Sequence, residues 1–239
     1  MRIVLLAVLA SLAALCPSRA SAQPPLLTGL GQAPAQGGPA RPARQRRPAT
    51  LPNRLQVRVF GSVGTTWFTS SSTFAAVLGS GSGQDIGGGV NITQGPGYLA
   101  VGARRFSKSG ERVFIGQGGQ VFPLGIPATV TMTPLEVAAG WRFRPRFGRV
   151  IPHLGAGYTR MKYEESSDFA ESGEDVGDWF NGYHVTGGAE VRVARWVGLV
   201  GEVVWTSLPD ALGEGGASKA FAETNLGGTS VRLALVIGR

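Results

Sequence analysis

From Arg54 to Arg239 the chain is written as eight stretches in which apolar and polar residues alternate, joined by connections that run long, short, long, short, long, short, long. Alternation with a period of two puts one set of side chains on each face of a strand. The rhythm of the connections is that of strands passing up and down through a membrane. The clearest stretch is Arg58-Val59-Phe60-Gly61-Ser62-Val63-Gly64-Thr65-Thr66-Trp67. The pattern predicts strands at about 55–69, 85–93, 98–107, 128–143, 149–163, 180–194, 196–206 and 226–238. An even number lets an antiparallel sheet close and leaves no edge. The expected fold is all-β: an eight-stranded antiparallel up-and-down transmembrane β-barrel with long extracellular loops and short periplasmic turns.

The segment before the strands gives an address. Arg2 precedes the apolar run Ile3 to Leu15, and Ala20-Ser21-Ala22 supplies the small residues of a leader-peptidase site, so residues 1–22 read as a cleaved signal peptide. Residues 23–53 are rich in Pro, Gly and Arg and hold too few large apolar residues to fold, which predicts a disordered periplasmic linker ahead of a barrel at 54–239. Cys16 lies in the leader, so the mature chain has neither a disulfide framework nor a thiolate metal site. The net charge of +8 suggests nucleic acid, but the excess is local. Six of the 23 bases precede Arg54, and from there on 17 bases face 15 acids, so no nucleic-acid partner is expected. Charged residues make up only 16% of the chain and 37 residues are Gly, both in keeping with a barrel wall. No segment after the leader approaches an uninterrupted apolar run of about 18 residues, which argues against spanning helices.

Parity then assigns the faces. Val57, Val59, Val63, Val137, Ala139, Trp141, Phe143, Leu154, Ala156, Tyr158, Val231, Leu233, Leu235 and Ile237 fall on the lipid side. Trp67, Trp141, Tyr158, Tyr183 and Trp205 fall near strand ends, as an aromatic girdle requires. The opposite parity holds Arg58, Arg104, Glu136, Arg142, Glu190, Arg192, Glu202 and Arg232. A charge facing lipid at mid-depth costs about 2–4 kcal/mol. These eight are therefore expected inside, as an ion-pair network that fills the narrow lumen of an eight-stranded barrel and leaves no open pore.

Leu135-Glu136-Val137-Ala138-Ala139-Gly140-Trp141-Arg142-Phe143 and Ile151-Pro152-His153-Leu154-Gly155-Ala156-Gly157-Tyr158 resemble segments of small bacterial outer-membrane barrels of the OmpA transmembrane-domain and OmpW type. The resemblance covers about three quarters of the chain. It implies an outer-membrane location and contact with outer-membrane lipids, lipopolysaccharide and the barrel-assembly machinery. It also implies a structural, adhesive or small-solute role, with outer loops available to an extracellular partner. Two departures stand out. The chain ends Val236-Ile237-Gly238-Arg239 instead of on an aromatic residue, and no peptidoglycan-binding domain follows the strands.

Catalytic chemistry has few candidates. His153 and His184 sit on different strands and read as lumen residues with satisfied hydrogen bonds. The resemblance also brings in outer-membrane lipid A deacylases, which pair His and Ser on one strand. Here Thr186 holds the serine's place beside His184, with Glu190 nearby, and no catalytic residue is assigned. Glu164, Glu165, Asp168, Glu171, Glu174, Asp175 and Asp178 crowd one loop without a base. A solvated, self-repelling loop is expected there, and collection of divalent cations is the alternative; the spacing is not that of an EF-hand. No cofactor and no dedicated metal site are expected. The glycine runs at 79–83 and 116–119 lack the Lys-Ser/Thr of a phosphate loop and read as flexible loop tips. Loop 108–127 is too apolar to be idle, and a hairpin extending the wall is favoured over a lid or a partner contact. The functional expectation is a structural or surface-interaction barrel without catalysis. Its competitors are a narrow solute or lateral-diffusion channel, a lipid-modifying enzyme, and a soluble barrel with an internal apolar cavity.

Overall fold

The computed structural model describes residues 51, 53–116, 119–143, 149–167, 176–213 and 215–238. The leader, nearly all of the linker, the turn at 144–148 and the loop acids Asp168, Glu171, Glu174 and Asp175 lie outside them. Eight strands form one closed antiparallel barrel in sequence order: β1 Gln56–Phe68, β2 Ser82–Gln94, β3 Gly97–Ile115, β4 Val121–Arg142, β5 Val150–Ser166, β6 Val176–Arg192, β7 Val197–Ser207 and β8 Gly228–Gly238. Among the described residues no helix is long and apolar enough to cross a membrane.

The register fixes the geometry. A row of paired residues starting at Trp67 runs through Thr229, Trp205, Val185, Ala156, Ala139, Leu99 and Ile92 and returns to β1 at Val57. One circuit thus slips ten residues, from 67 to 57. With strand rise and spacing of ordinary size, that stagger tilts the strands by roughly 40° from the barrel axis. The same ten residues of β1 then climb about 25 Å, the height of the apolar band of a membrane barrel.

The outer face bears out the parity. Val57, Val59, Val63, Val137, Leu154, Leu233, Leu235 and Ile237 are exposed, as are Trp141 and Phe143 at the lower rim, the end with the short connections. The described short connections are tight. Gly95-Pro96 joins β2 to β3, with Gly95 at φ 56°, a conformation that favours glycine.

The upper connections depart from a picture of plain loops. The first one, read as a loop over about 70–84, contains helix α1 (Ser71–Leu78), and the last, read over about 207–225, contains the short helix α2 (Gly216–Ala220). Phe74 and Leu78, four residues apart, share the buried face of α1, and Gly79 ends the helix at φ 70°. A helix of eight residues gains little from propensity alone. Packing on the barrel mouth sustains it, a tertiary effect that alternation on the strands cannot announce. The glycine run at 79–83 is not a free tip either, since Ser82 and Gly83 belong to β2 and the Phe106 ring lies against Gly83. Loop 108–127 forms the extended β3–β4 hairpin, with a bulge between Glu111 and Val113, so the wall reading holds.

Candidate functional site

The barrel interior and its mouth hold most of the buried polar and aromatic side chains. Arg58, Arg104, Glu136, Arg142, Glu190, Arg192, Glu202 and Arg232 all project inward, and they collect in layers. In the lowest layer, Nη1 of Arg58 donates to both carboxylate oxygens of Glu190 at 2.8 Å. Arg142 approaches the same carboxylate at 3.4 Å and Arg192 at 4.0 Å. One buried acid therefore serves three guanidinium groups.

In the middle layer Arg232 grips Glu136 with two parallel bonds of 2.7 and 2.8 Å, the strong forked geometry. Glu202 lies 3.9 Å from Arg232 and 3.7 Å from His153 Nε2, and it accepts from Thr186 at 3.4 Å. Above it Arg104 pairs with Asp85 and donates to Ser62 at 2.9 Å, while Thr66 donates to Asp85 at 2.9 Å. His184 is buried and shares a 2.8 Å hydrogen bond with Thr159. His184, Thr186 and Glu190 thus sit in the lumen, with His184 bonded to Thr159 and Glu190 to arginines. Among the described residues no group of three or more His, Cys, Asp or Glu gathers as a metal site.

Above these layers the mouth turns apolar. Phe68, Phe106, Val130, Met132 and Met161 from the wall meet Phe74 and Leu78 of α1, with Leu208 and Leu226 from the last connection. Phe68 stacks on Phe74 with ring centroids 4.1 Å apart and meets Phe106 edge-on at 5.4 Å. The two capped connections are clasped to each other. Glu223 accepts from the backbone N–H groups of Ser72 and Thr73 at 3.1 and 2.8 Å, which satisfies unpaired donors in the first turn of α1. Ser70 donates to the Asn225 carbonyl at 2.6 Å. Burial pushes the Glu223 carboxyl up, but the hydrogen bonds from Thr73 and Ser72 outweigh it and hold the group below the usual carboxylate range. Between the layers the space is small, a cavity of about 100 Å³ among the lower and middle charges and one of about 40 Å³ beneath the plug, while a vestibule of about 280 Å³ lies at the lower end beside Arg58, Glu190 and Arg192.

Several solved structures show a distant similarity to this chain. It is similar to Neisserial surface protein A, at 15% identity over 77% of this chain and 95% of that one, with a TM-score of 0.46. It is also similar to the N-terminal β-barrel domain of Pseudomonas aeruginosa OprF, at 10% identity over 79% and 98%, with a TM-score of 0.43. A third is the attachment invasion locus protein Ail of Yersinia pestis, at 11% identity over 77% and 96%, with a TM-score of 0.42. No family model matches, and no curated protein matches.

On the outer wall, Trp67, Trp141, Tyr158, Tyr183 and Trp205 are all exposed. Tyr158 and Tyr183 are not at their strand ends, because β5 and β6 continue above the band. Trp179, Trp196 and Phe143 are exposed as well and join the girdle expected from the sequence. Asp85 joins the inward charges, from the very edge of the strand predicted there. Opposite parity to Ile86 was the signal that could have found it. Of the acidic loop, Glu164, Glu165 and Asp178 are described. Glu164 pairs with Lys162 at 2.6 Å and Glu165 with Arg112 at 3.7 Å, so two of these acids have basic partners.

Proposed function

We propose that this protein is an outer-membrane barrel with a structural or surface-interaction role, not a conduit and not an enzyme. The observation that carries this reading is the closed interior. A solute passing through would have to break the Arg58–Glu190–Arg142 layer, then the Arg232–Glu136 fork, and then a clasped apolar plug. An apolar outer band about 25 Å high, bounded by aromatic residues, supports the membrane setting. With the linker on the periplasmic side, the long connections and the β3–β4 hairpin stand outside the cell. From Ser107 to Ile115 that hairpin rises about 20 Å further. Its tip exposes Phe114, Val121, Phe122 and Leu124, an apolar patch on a protruding arm and the feature that favours surface interaction.

Expression of the full precursor in a Gram-negative host, followed by outer-membrane isolation, tests the reading. A membrane-bound band whose gel mobility shifts on boiling, with background conductance in planar bilayers, is the expected result. A wild-type conductance above background that changes on Arg142→Ala or Glu202→Ala would refute the closed lumen and favour the narrow channel.

A further inference from the structure

The wall carries a second feature that the closed lumen does not use. Across β8, β1, β2 and β3 the outer face is indented by a groove of about 700 Å³, lined by Val63, Trp67, Ile86, Val231 and Leu233, with Arg105 on its upper half below Ser107 and Gln84. Directly below, the paired row Gly61, Gly88 and Ala103 offers almost no side chain, and the outward side of Gly61 is open space. The indentation lies in the upper part of the apolar band, and Arg105 stands near the level of the upper girdle.

Among the described residues three bases point outward at or just above that level, and two are already engaged. Arg160 lies over the Trp179 ring at 4.9 Å, and Lys162 pairs with Glu164 at 2.6 Å. Arg105 is exposed and has no hydrogen-bond or ion-pair partner among the described residues. An unpaired guanidinium at the boundary of a hydrocarbon layer is stabilised by an anion at the same depth. In a bilayer the anion found there is a lipid phosphate.

We propose that this groove binds one phospholipid of net negative charge, with an acyl chain lying along Val63, Ile86 and Val231 and its phosphate on Arg105. The inference rests on the membrane setting proposed above. Both components come from one molecule, since apolar groove and cation are continuous on the wall.

The test is native mass spectrometry of the folded barrel in a zwitterionic detergent, titrated with phosphatidylglycerol or with phosphatidylcholine of the same chains. Retention of one phosphatidylglycerol in preference to phosphatidylcholine is expected, with affinity falling about tenfold in Arg105→Gln. Thr65→Phe, which fills the groove, should weaken both lipids, while Arg160→Gln should change neither. Equal losses in Arg105→Gln and Arg160→Gln, or no loss in either, would overturn the site. Insertion of the same preparations into vesicles, read by heat-modified mobility, separates the two levels. A barrel that inserts without Arg105-dependent retention overturns this inference alone, whereas one that never inserts overturns the membrane reading beneath it.

Discussion

Neutralising Glu190 removes the one carboxylate that holds the lowest lumen layer together. In Glu190→Gln, Arg58 and Arg142, both almost fully buried, would face each other and Arg192 without a counter-charge. At an effective dielectric near 20, each attraction at 2.8–3.4 Å is worth roughly 5–6 kcal/mol before desolvation. Burying the carboxylate returns several kcal/mol of that. The net loss on removing one partner of a buried pair is about 3–5 kcal/mol. The 100 Å³ cavity beside these groups and the partial exposure of Arg192 favour the lower end, about 3 kcal/mol. Equilibrium urea unfolding in vesicles, followed by tryptophan fluorescence and by the heat-modified gel band, would measure it. The triple variant Arg58→Met, Arg142→Met, Glu190→Leu should recover most of the loss, because no buried charge is then left unpaired and Arg192, a third exposed, is solvated. A loss under about 1 kcal/mol in Glu190→Gln, or a triple variant weaker than the single one, would show that solvent and not Glu190 compensates the guanidinium groups.

Three further outcomes are expected. Phe74→Ala should cost about 3 kcal/mol in the same assay by opening a cavity in the plug, yet leave bilayer conductance at background because the charged layers below persist. Because the Glu223 carboxyl is depressed in the folded protein, its stabilising effect is present above the unfolded value near pH 4.3 and fades as pH falls through the lower, folded value. Amide protection at Ser72 and Thr73, corrected for intrinsic exchange, should therefore drop in acid and be low at all pH in Glu223→Gln; protection unaffected by either change would sever the clasp from α1. Gly155→Ala should cost about 1–3 kcal/mol, since a methyl group there collides with the Tyr98 hydroxyl inside the lumen. Wild-type unfolding midpoints in that variant would show that Tyr98 moves aside freely.

Strand facing was legible along the chain because it follows from a period of two, and strand number and order because the connections alternate between long and short. Once Val57 faces outward, Arg58 has to face inward, and the cost of a charge in hydrocarbon makes the choice between the two parities. Each inward charge could thus be named, though not its partner. Arg58 and Glu190 are 132 residues apart, and Arg232 and Glu136 are 96 apart. Which pairs meet depends on the ten-residue stagger of the closed sheet, a property of the whole register that no single strand encodes. The cap was hidden for a related reason. Ser71–Leu78 is too short and too weakly patterned to declare itself a helix, and Glu223 reads as one more loop acid until the closed barrel brings the two ends of the sheet side by side. Alternation by itself determined a closed wall with charges inside and apolar residues out, while tertiary closure decided the pairing of those charges, the plug at the mouth and the groove on the outer face.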